Sequence, residues 1–303
     1  MDTLSGSPPS LPAPPPSRKV ARRDPMFSRK KKTIHLIRHC QSTFNVPPHD
    51  ANKLDPDLTA TGVRQAKSLG QSFPHLTPDS LIVASPLRRT LNTALHAFKH
   101  HLPATNSQIL ALPELQELSR WPCDTGSSLP TLLTEFRDHP VDFEKVTFDW
   151  DSKDGYFSPS ERRTLQRMRN TRQWLYEREA QNIVCVGHAH CLQLLVGEAS
   201  YDKIRAGLCT PEWKNGEWRS YHIEVGPNRE KELVETRESL RRRGKHKNIA
   251  LAEGDGNSIA RPVTAPAAAE SISANEENSP KSHRRRGSGW FKPGKLVRAF
   301  TAF

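Results

Sequence analysis

Cysteine is scarce in this chain of 303 residues: the five present (Cys40, Cys123, Cys185, Cys191, Cys209) are odd in number and form no Cys-x-x-Cys pair. That argues against a disulfide framework and a zinc ribbon and fits a reducing compartment. Long apolar runs are missing too. No stretch approaches the roughly 18–20 apolar residues of a membrane span, and residues 1–32 hold no apolar segment suited to a secretory signal. Secretion and membrane spanning are therefore not expected, and the address read from the sequence is cytoplasmic, with the nucleus as a secondary addition. Apolar residues make up only 35% and mean hydropathy is −0.70, below the apolar share of about 45–50% usual for globular domains. Part of the chain is therefore not folded core. Neither common Gly-rich phosphate loop occurs, nor an Asp/Asn cluster that would hold magnesium.

What is present is unevenly spread. The net charge of +12 divides into +6 over residues 1–32, −1 over 33–227 and +7 over 228–303. The basicity belongs to the ends, and the nearly neutral middle is where a buried core must form. Residues 1–32 run from a proline-rich stretch into SRKKK and read as a disordered segment. Residues 228–303 read as a mostly disordered basic tail. In it KELVETRESLRRRGKHK has the composition of a short solvated helix. Near the end, Leu296, Phe300 and Phe303 fall at helical spacing beside Lys295 and Arg298, which would suit a peripheral membrane or protein contact. Arg284-Arg285-Arg286-Gly287-Ser288 would suit a basophilic kinase. Nucleic acid is not an expected partner, because aromatic residues do not interleave the basic runs.

Between 33 and 227 the periods alternate as an α/β sheet requires. Compact apolar runs at 33–37, 81–84, 109–112 and 183–186 read as buried strands, and 218–225 as a last, edge strand. Helical stretches intervene after Thr59, from Pro86 to about His101, from Glu161 to about Glu179, and after Gly187. Continuous apolar strands separated by helices imply a three-layer sandwich with a mostly parallel central sheet. Ligands bind at the carboxyl ends of such strands. Those ends carry Arg38-His39-Cys40, Ser85-Pro86-Leu87-Arg88-Arg89, Glu114 with Glu117, and Gly187-His188-Ala189-His190.

Histidines, arginines and a carboxylate converging on one crevice suit phosphoryl transfer. A neutral imidazole can attack phosphorus, arginine forks match phosphate oxygens, and a carboxylic acid can protonate the leaving oxygen and later activate water. The pair His188-x-His190 lacks the further ligands a metal site needs, so no metal is expected, and no cofactor either. Cys40 reads as a small buried thiol unless Arg38 favours its thiolate.

These residues fall into blocks that resemble the histidine phosphatase superfamily, the phosphoglycerate-mutase-like proteins. Leu36-Ile37-Arg38-His39 with Asn45 is similar to the family's first block. Asp57 through Ala66 is similar to the second, Ser85-Pro86-Leu87-Arg88-Arg89-Thr90 to the third, and Val184-Cys185-Val186-Gly187-His188 to the last. The resemblance implies a phosphoglycerate-mutase-like fold, a phosphohistidine at His39, His188 opposite it, and a phosphate pocket from Arg38, Asn45 and Arg89. It implies an acid/base glutamate for which Glu117 is favoured over Glu114, since Pro122-Cys123-Asp124 follows it as in one branch of the family. Arg88, one position before the block's arginine, is assigned to the surface. Cys40 and Ala189 stand where the family usually has glycine. The Glu-Arg-His-Tyr block of the glycolytic mutases is absent. The activity implied is a metal-independent phosphomonoester hydrolase. The alternatives are a phosphomutase on a non-glycolytic substrate and a non-catalytic phosphate-binding scaffold. Residues 119–160 read as a lid that sets specificity.

Overall fold

The computed structural model describes residues 32–209 and 212–245. The expectations placed on the proline-rich start and on Arg284 to Phe303 lie outside the described residues.

Seven strands form one sheet in the order β4-β3-β2-β5-β1-β6-β7. They are β1 (Thr33–Arg38), β2 (Leu81–Ala84), β3 (Ile109–Ala111), β4 (Val141–Asp142), β5 (Asn182–Gly187), β6 (Trp218–Val225) and β7 (Lys231–Glu235). The pairs β1·β5, β2·β5, β2·β3 and β3·β4 are parallel, whereas β1·β6 and β6·β7 are antiparallel. The sheet is thus mostly parallel, as its near-continuous apolar strands require.

Alternate strand residues serve two separate cores, because successive side chains of a strand point to opposite faces. On one face Ile82, Ala84, Val184 and Val186 pack with Leu69 of α1 (Ala60–Ser72), Leu91 and Ala94 of α2 (Arg88–Ala97) and Leu132 of α4 (Leu129–Glu135). A short α3 (His101–Ala104) follows α2. On the other face Val83, Ile183 and Cys185 pack with Met168 and Leu175 of α5 (Glu161–Glu177) and Leu192 and Leu195 of α6 (Ala189–Leu195), while Ile204 of α7 (Tyr201–Arg205) adds a partly buried edge. Helices on both faces complete a three-layer sandwich. Local signals set the ends: the Thr59 hydroxyl accepts from the Gly62 amide at the start of α1, and the Ser200 hydroxyl from the Lys203 amide at the start of α7. Among the described residues no helix is long and apolar enough to cross a membrane.

Three expectations need correction. The boundary at residue 227 falls inside a hairpin turn, where the Gly226 amide donates to the Glu230 carbonyl at 2.8 Å. Pro227-Asn228 reads as linker chemistry, but the same residues make turns. The charged stretch after it supplies β7, with Leu233 buried and its neighbours facing outward, and then α8 (Arg237–Arg242). Consequently β6 is not an edge strand. Nor is α8 a free solvated helix: the Arg242 guanidinium stacks 3.2 Å over the Trp218 ring and donates to the Trp218 carbonyl. Polar faces on an outermost strand guard its open edge, and that polarity hid β7 among the tail's charges.

Candidate active site

The carboxyl ends of β1, β2 and β5 lie side by side in the sheet, so the residues that follow them share one crevice. His39 and His188 meet there with ring centroids 5.2 Å apart and planes inclined at 58°. Both are buried. The His39 amide donates to the Gly187 carbonyl at 2.9 Å, which ties the backbone after β1 to that of β5. His39 Nδ1 lies 2.8 Å from the Cys40 carbonyl. A carbonyl only accepts, so Nδ1 carries the proton and Nε2 keeps its lone pair. Burial, then the charges of Arg89 and Arg38, push the His39 pKa well below its ordinary value. The ring is neutral at pH 7.

His188 is held neutral in the same way, by burial and by Arg89, His39, Lys153 and Arg38. Its Nε2 shares a hydrogen bond with the Ser85 hydroxyl at 2.9 Å, while its Nδ1 is buried without a partner. Arg38 donates from Nη1 to the Trp213 carbonyl, and its Nε is likewise buried and unpartnered. A buried polar atom left without a partner costs about 1–3 kcal/mol, and Arg38 Nε is such a donor beside the histidines, suited to an anionic ligand.

Arg89 arrives from the first turn of α2. It donates from Nη1 to the Cys123 carbonyl at 2.6 Å and from Nη2 to Asp124 at 3.2 Å. Arg88, the residue before it, points elsewhere and pairs with Glu135 at 2.6 Å, both side chains about one-third exposed. Asn45 accepts at Oδ1 from the Ser42 amide, the Ser42 hydroxyl and Asn215, all at 3.0–3.2 Å, which leaves its Nδ2 as the group that can face a ligand.

The structure separates the two glutamates. Glu117 is buried, and its Oε1 accepts from the amides of Leu118 (3.0 Å) and Cys191 (3.2 Å), the latter in the first turn of α6. Its charge acts on Arg38. Glu114 is half-buried beside Arg167 and Lys145, and burial pushes its pKa up. Cys40 is fully buried, its pKa pushed up to about 11 by that burial, so it is an inert thiol rather than a reactive one. Among the described residues no group of three or more His, Cys, Asp or Glu could hold a metal ion.

Several residues of the site went unnoticed in the sequence. Asn215 donates to both the His39 carbonyl (3.1 Å) and Asn45. It sits in an Asn-Gly turn where Gly216 takes φ +74°, and the Gly216 amide donates back to the carbonyls of Arg38 and His39. That dipeptide was the available signal. Lys153 and Arg167 gave none, and Asp124 was marked only as part of Pro122-Cys123-Asp124, not as a partner of Arg89. The segment 119–160 is also less lid-like than expected: Leu132, Phe136, Trp150 and Phe157 are buried in the first core, so it is built into the domain. Its Phe136, Trp150 and Phe157 are core residues, whereas Trp121 and Phe148 stay exposed.

A family model described as the histidine phosphatase superfamily (branch 1) matches residues 34–241. The chain is 32% identical over 107 residues to a protein designated "probable phosphatase" in Schizosaccharomyces pombe, a match covering 35% of this chain and 50% of that protein. It is 27% identical over 238 residues to phosphoglycerate mutase-like protein 1 of Arabidopsis thaliana, covering 63% of this chain and 81% of the other. The chain therefore spans only half the length of the first relative. Among solved structures, an ecdysone phosphate phosphatase from Bombix mori aligns with a TM-score of 0.46 at 18% identity, over 67% of this chain and 92% of its own.

Proposed function

The chain belongs to branch 1 of the histidine phosphatase superfamily, and we propose that it is a metal-independent phosphomonoester hydrolase working through a phosphohistidine at His39. The observation that carries this reading is the His39 ring itself: neutral, with Nδ1 tied to the Cys40 carbonyl and Nε2 free. Nε2 attacks phosphorus, a P–N bond forms, and the P–O ester bond breaks as the Glu117 carboxyl gives its proton to the leaving oxygen. Water then attacks the phosphohistidine, Glu117 takes the proton of that water, the P–N bond breaks and inorganic phosphate leaves. Arg38, Arg89, His188 and Asn45 Nδ2 bind the phosphoryl oxygens, where charge grows in the transition state. The helix-end amide of Cys191 holds Glu117 in place.

Hydrolysis of p-nitrophenyl phosphate in excess EDTA, wild type beside His39→Ala and Glu117→Gln, tests this. Activity that survives EDTA, vanishes in His39→Ala and falls about 10²–10⁴-fold in Glu117→Gln is expected. Equal activity in wild type and His39→Ala overturns the phosphohistidine. An isomerised phosphoester in place of free phosphate makes the protein a mutase, a reading the name of the Arabidopsis thaliana relative keeps open.

A further inference from the structure

One buried cation near the proposed phosphate site has no part in the mechanism above. Lys153 takes the left-handed backbone conformation (φ +58°), which a branched or bulky residue rarely adopts, and its side chain turns inward to 3% exposure. The segment carrying it is pinned on both sides. The Trp150 indole is fully buried, its carbonyl accepts from Gln116 Nε2 at 3.0 Å, and the Gln116 carbonyl in turn accepts from Arg167. Lys153 Nζ donates to the Glu117 carbonyl at 2.8 Å. An ammonium has three N–H donors, and this is the one hydrogen bond it makes among the described residues.

The charges around it are uneven. Asp124 of the turn after Trp121 and Glu117 after β3 attract it, while Arg167 of α5 and Arg89 of α2 repel it. From α6 and its start, Cys191 and His188 both feel its charge. Asp124 is already paired with Arg89, so the protein supplies little to neutralise the ammonium.

We propose that Lys153 is a phosphate-site cation: its free N–H groups contact the bound phosphoryl dianion from the insertion side of the crevice, and it takes up a proton from solvent as the anion enters. The inference rests on reading the crevice as a phosphate site and adds a cation that none of the sequence blocks contains. Burial, with Arg167 adding to it, lowers the Lys153 pKa to about 7, so the free site exchanges this proton near neutrality. A dianion placed beside it favours the ammonium. Lysine suits this task better than arginine, which stays charged at every pH of interest.

Binding of tungstate, an oxyanion that stays dianionic from pH 6.5 to 9, tests the proposal on the full chain by calorimetry. Buffers of different ionisation heat report proton uptake in the wild type without any substitution. In the wild type the affinity is expected to fall about tenfold per pH unit above about pH 7, with uptake of up to one proton. Lys153→Arg should bind tightly with no pH slope. Lys153→Met should bind about tenfold or more weakly at pH 6.5, also with no slope. Lys145→Met, which removes an exposed lysine paired with Glu144, should keep the wild-type slope. A wild-type affinity independent of pH, no proton uptake, or a slope that persists in Lys153→Met overturns the proposal. Turnover of p-nitrophenyl phosphate without proton-linked tungstate binding sinks this inference and leaves the hydrolase reading standing. Proton-linked binding without turnover does the reverse.

Discussion

The crevice has two flanks built in different ways. One is the row of strand ends, where His39 follows β1 and His188 follows β5, each fixed within one residue of a parallel strand. The other is the segment 119–160, which reaches the crevice with Cys123, Asp124 and Lys153 and is anchored by Trp150 in the core. On the first flank, position follows from backbone pairing: a residue just after a central parallel strand has nowhere else to point. On the second, position depends on side-chain packing between residues far apart in the chain. The first flank was therefore legible in the sequence and the second was not.

Arg89 joins the two flanks, and removing it should have the largest effect. It belongs to α2, yet its guanidinium holds the Cys123 carbonyl and Asp124 while facing both histidines. Arg89→Ala should lower kcat/KM by about 10²–10³, the usual consequence of losing one preorganised donor at developing negative charge. Steady-state kinetics on p-nitrophenyl phosphate would read it. A loss under tenfold would mean that the flanks are held together elsewhere and that Arg89 does not touch the phosphoryl group.

Acid should break the first flank. The pKa values of His39 and His188 are held well below 6.5 by burial and by Arg89, so the unfolded chain binds protons that the folded one refuses. The stability they contribute is complete above pH 6.5 and declines as pH falls below it. Each proton that the unfolded chain binds and the folded one refuses steepens that decline, so stability should fall steadily as pH drops below 6.5. His35, whose pKa is lowered to about 3 by burial and by His75, adds to the same decline. The second flank answers in another window. Lys153, about 7 folded against 10.5 free, has its stability fully present above pH 10.5 and loses it as pH falls to about 7. Thermal melts across pH 5 to 10 should therefore show two separate slopes, with the alkaline one absent in Lys153→Met. One shared slope would contradict the distinction between the flanks.

Packing should break the second flank without touching the chemistry of the first. A Cβ on Gly126 would sit 2.0 Å from Cη2 of the Trp150 ring. The indole is rigid and fully buried, so Gly126→Ala should destabilise the fold by about 1–3 kcal/mol. Chemical denaturation would measure it. An unchanged midpoint would show that Trp150 can move, and that the segment is the loose lid its composition resembles.

How much of this could be read in advance depends on which flank is asked. The strands at 33–38, 81–84 and 182–187 were legible as apolar runs, and their following residues as a site. Glu117 could be told from Glu114 only by the spacing to Pro122-Cys123-Asp124, a resemblance rather than a physical signal. Lys153 lies in Asp151-Ser152-Lys153-Asp154-Gly155, which has the composition of an exposed turn. Nothing in those five residues shows that the lysine turns inward; its partner, the Glu117 carbonyl, lies 36 positions earlier in the chain. The strand β7 was missed for a related reason, since Lys231-Glu232-Leu233-Val234-Glu235 carries charges suited to a sheet edge that look the same in a solvated tail.

The smallest effect belongs to Arg88, and it sharpens the comparison because Arg88 is the immediate neighbour of Arg89. Adjacent residues on a helix point about 100° apart, so one arginine of the pair faces the crevice and the other the flank. Arg88 pairs with Glu135 at 2.6 Å, with both side chains about one-third exposed. Pairs of that kind contribute little after solvent screening, and Arg88→Ala should change stability by less than about 0.5 kcal/mol and leave kcat/KM within about twofold. The Arg88 backbone amide, which donates to Asp55 at 3.0 Å, is unaffected by the substitution. A loss in Arg88→Ala comparable to that in Arg89→Ala would show that the arginine count near the crevice, rather than the register of α2, decides which side chain meets the phosphoryl group.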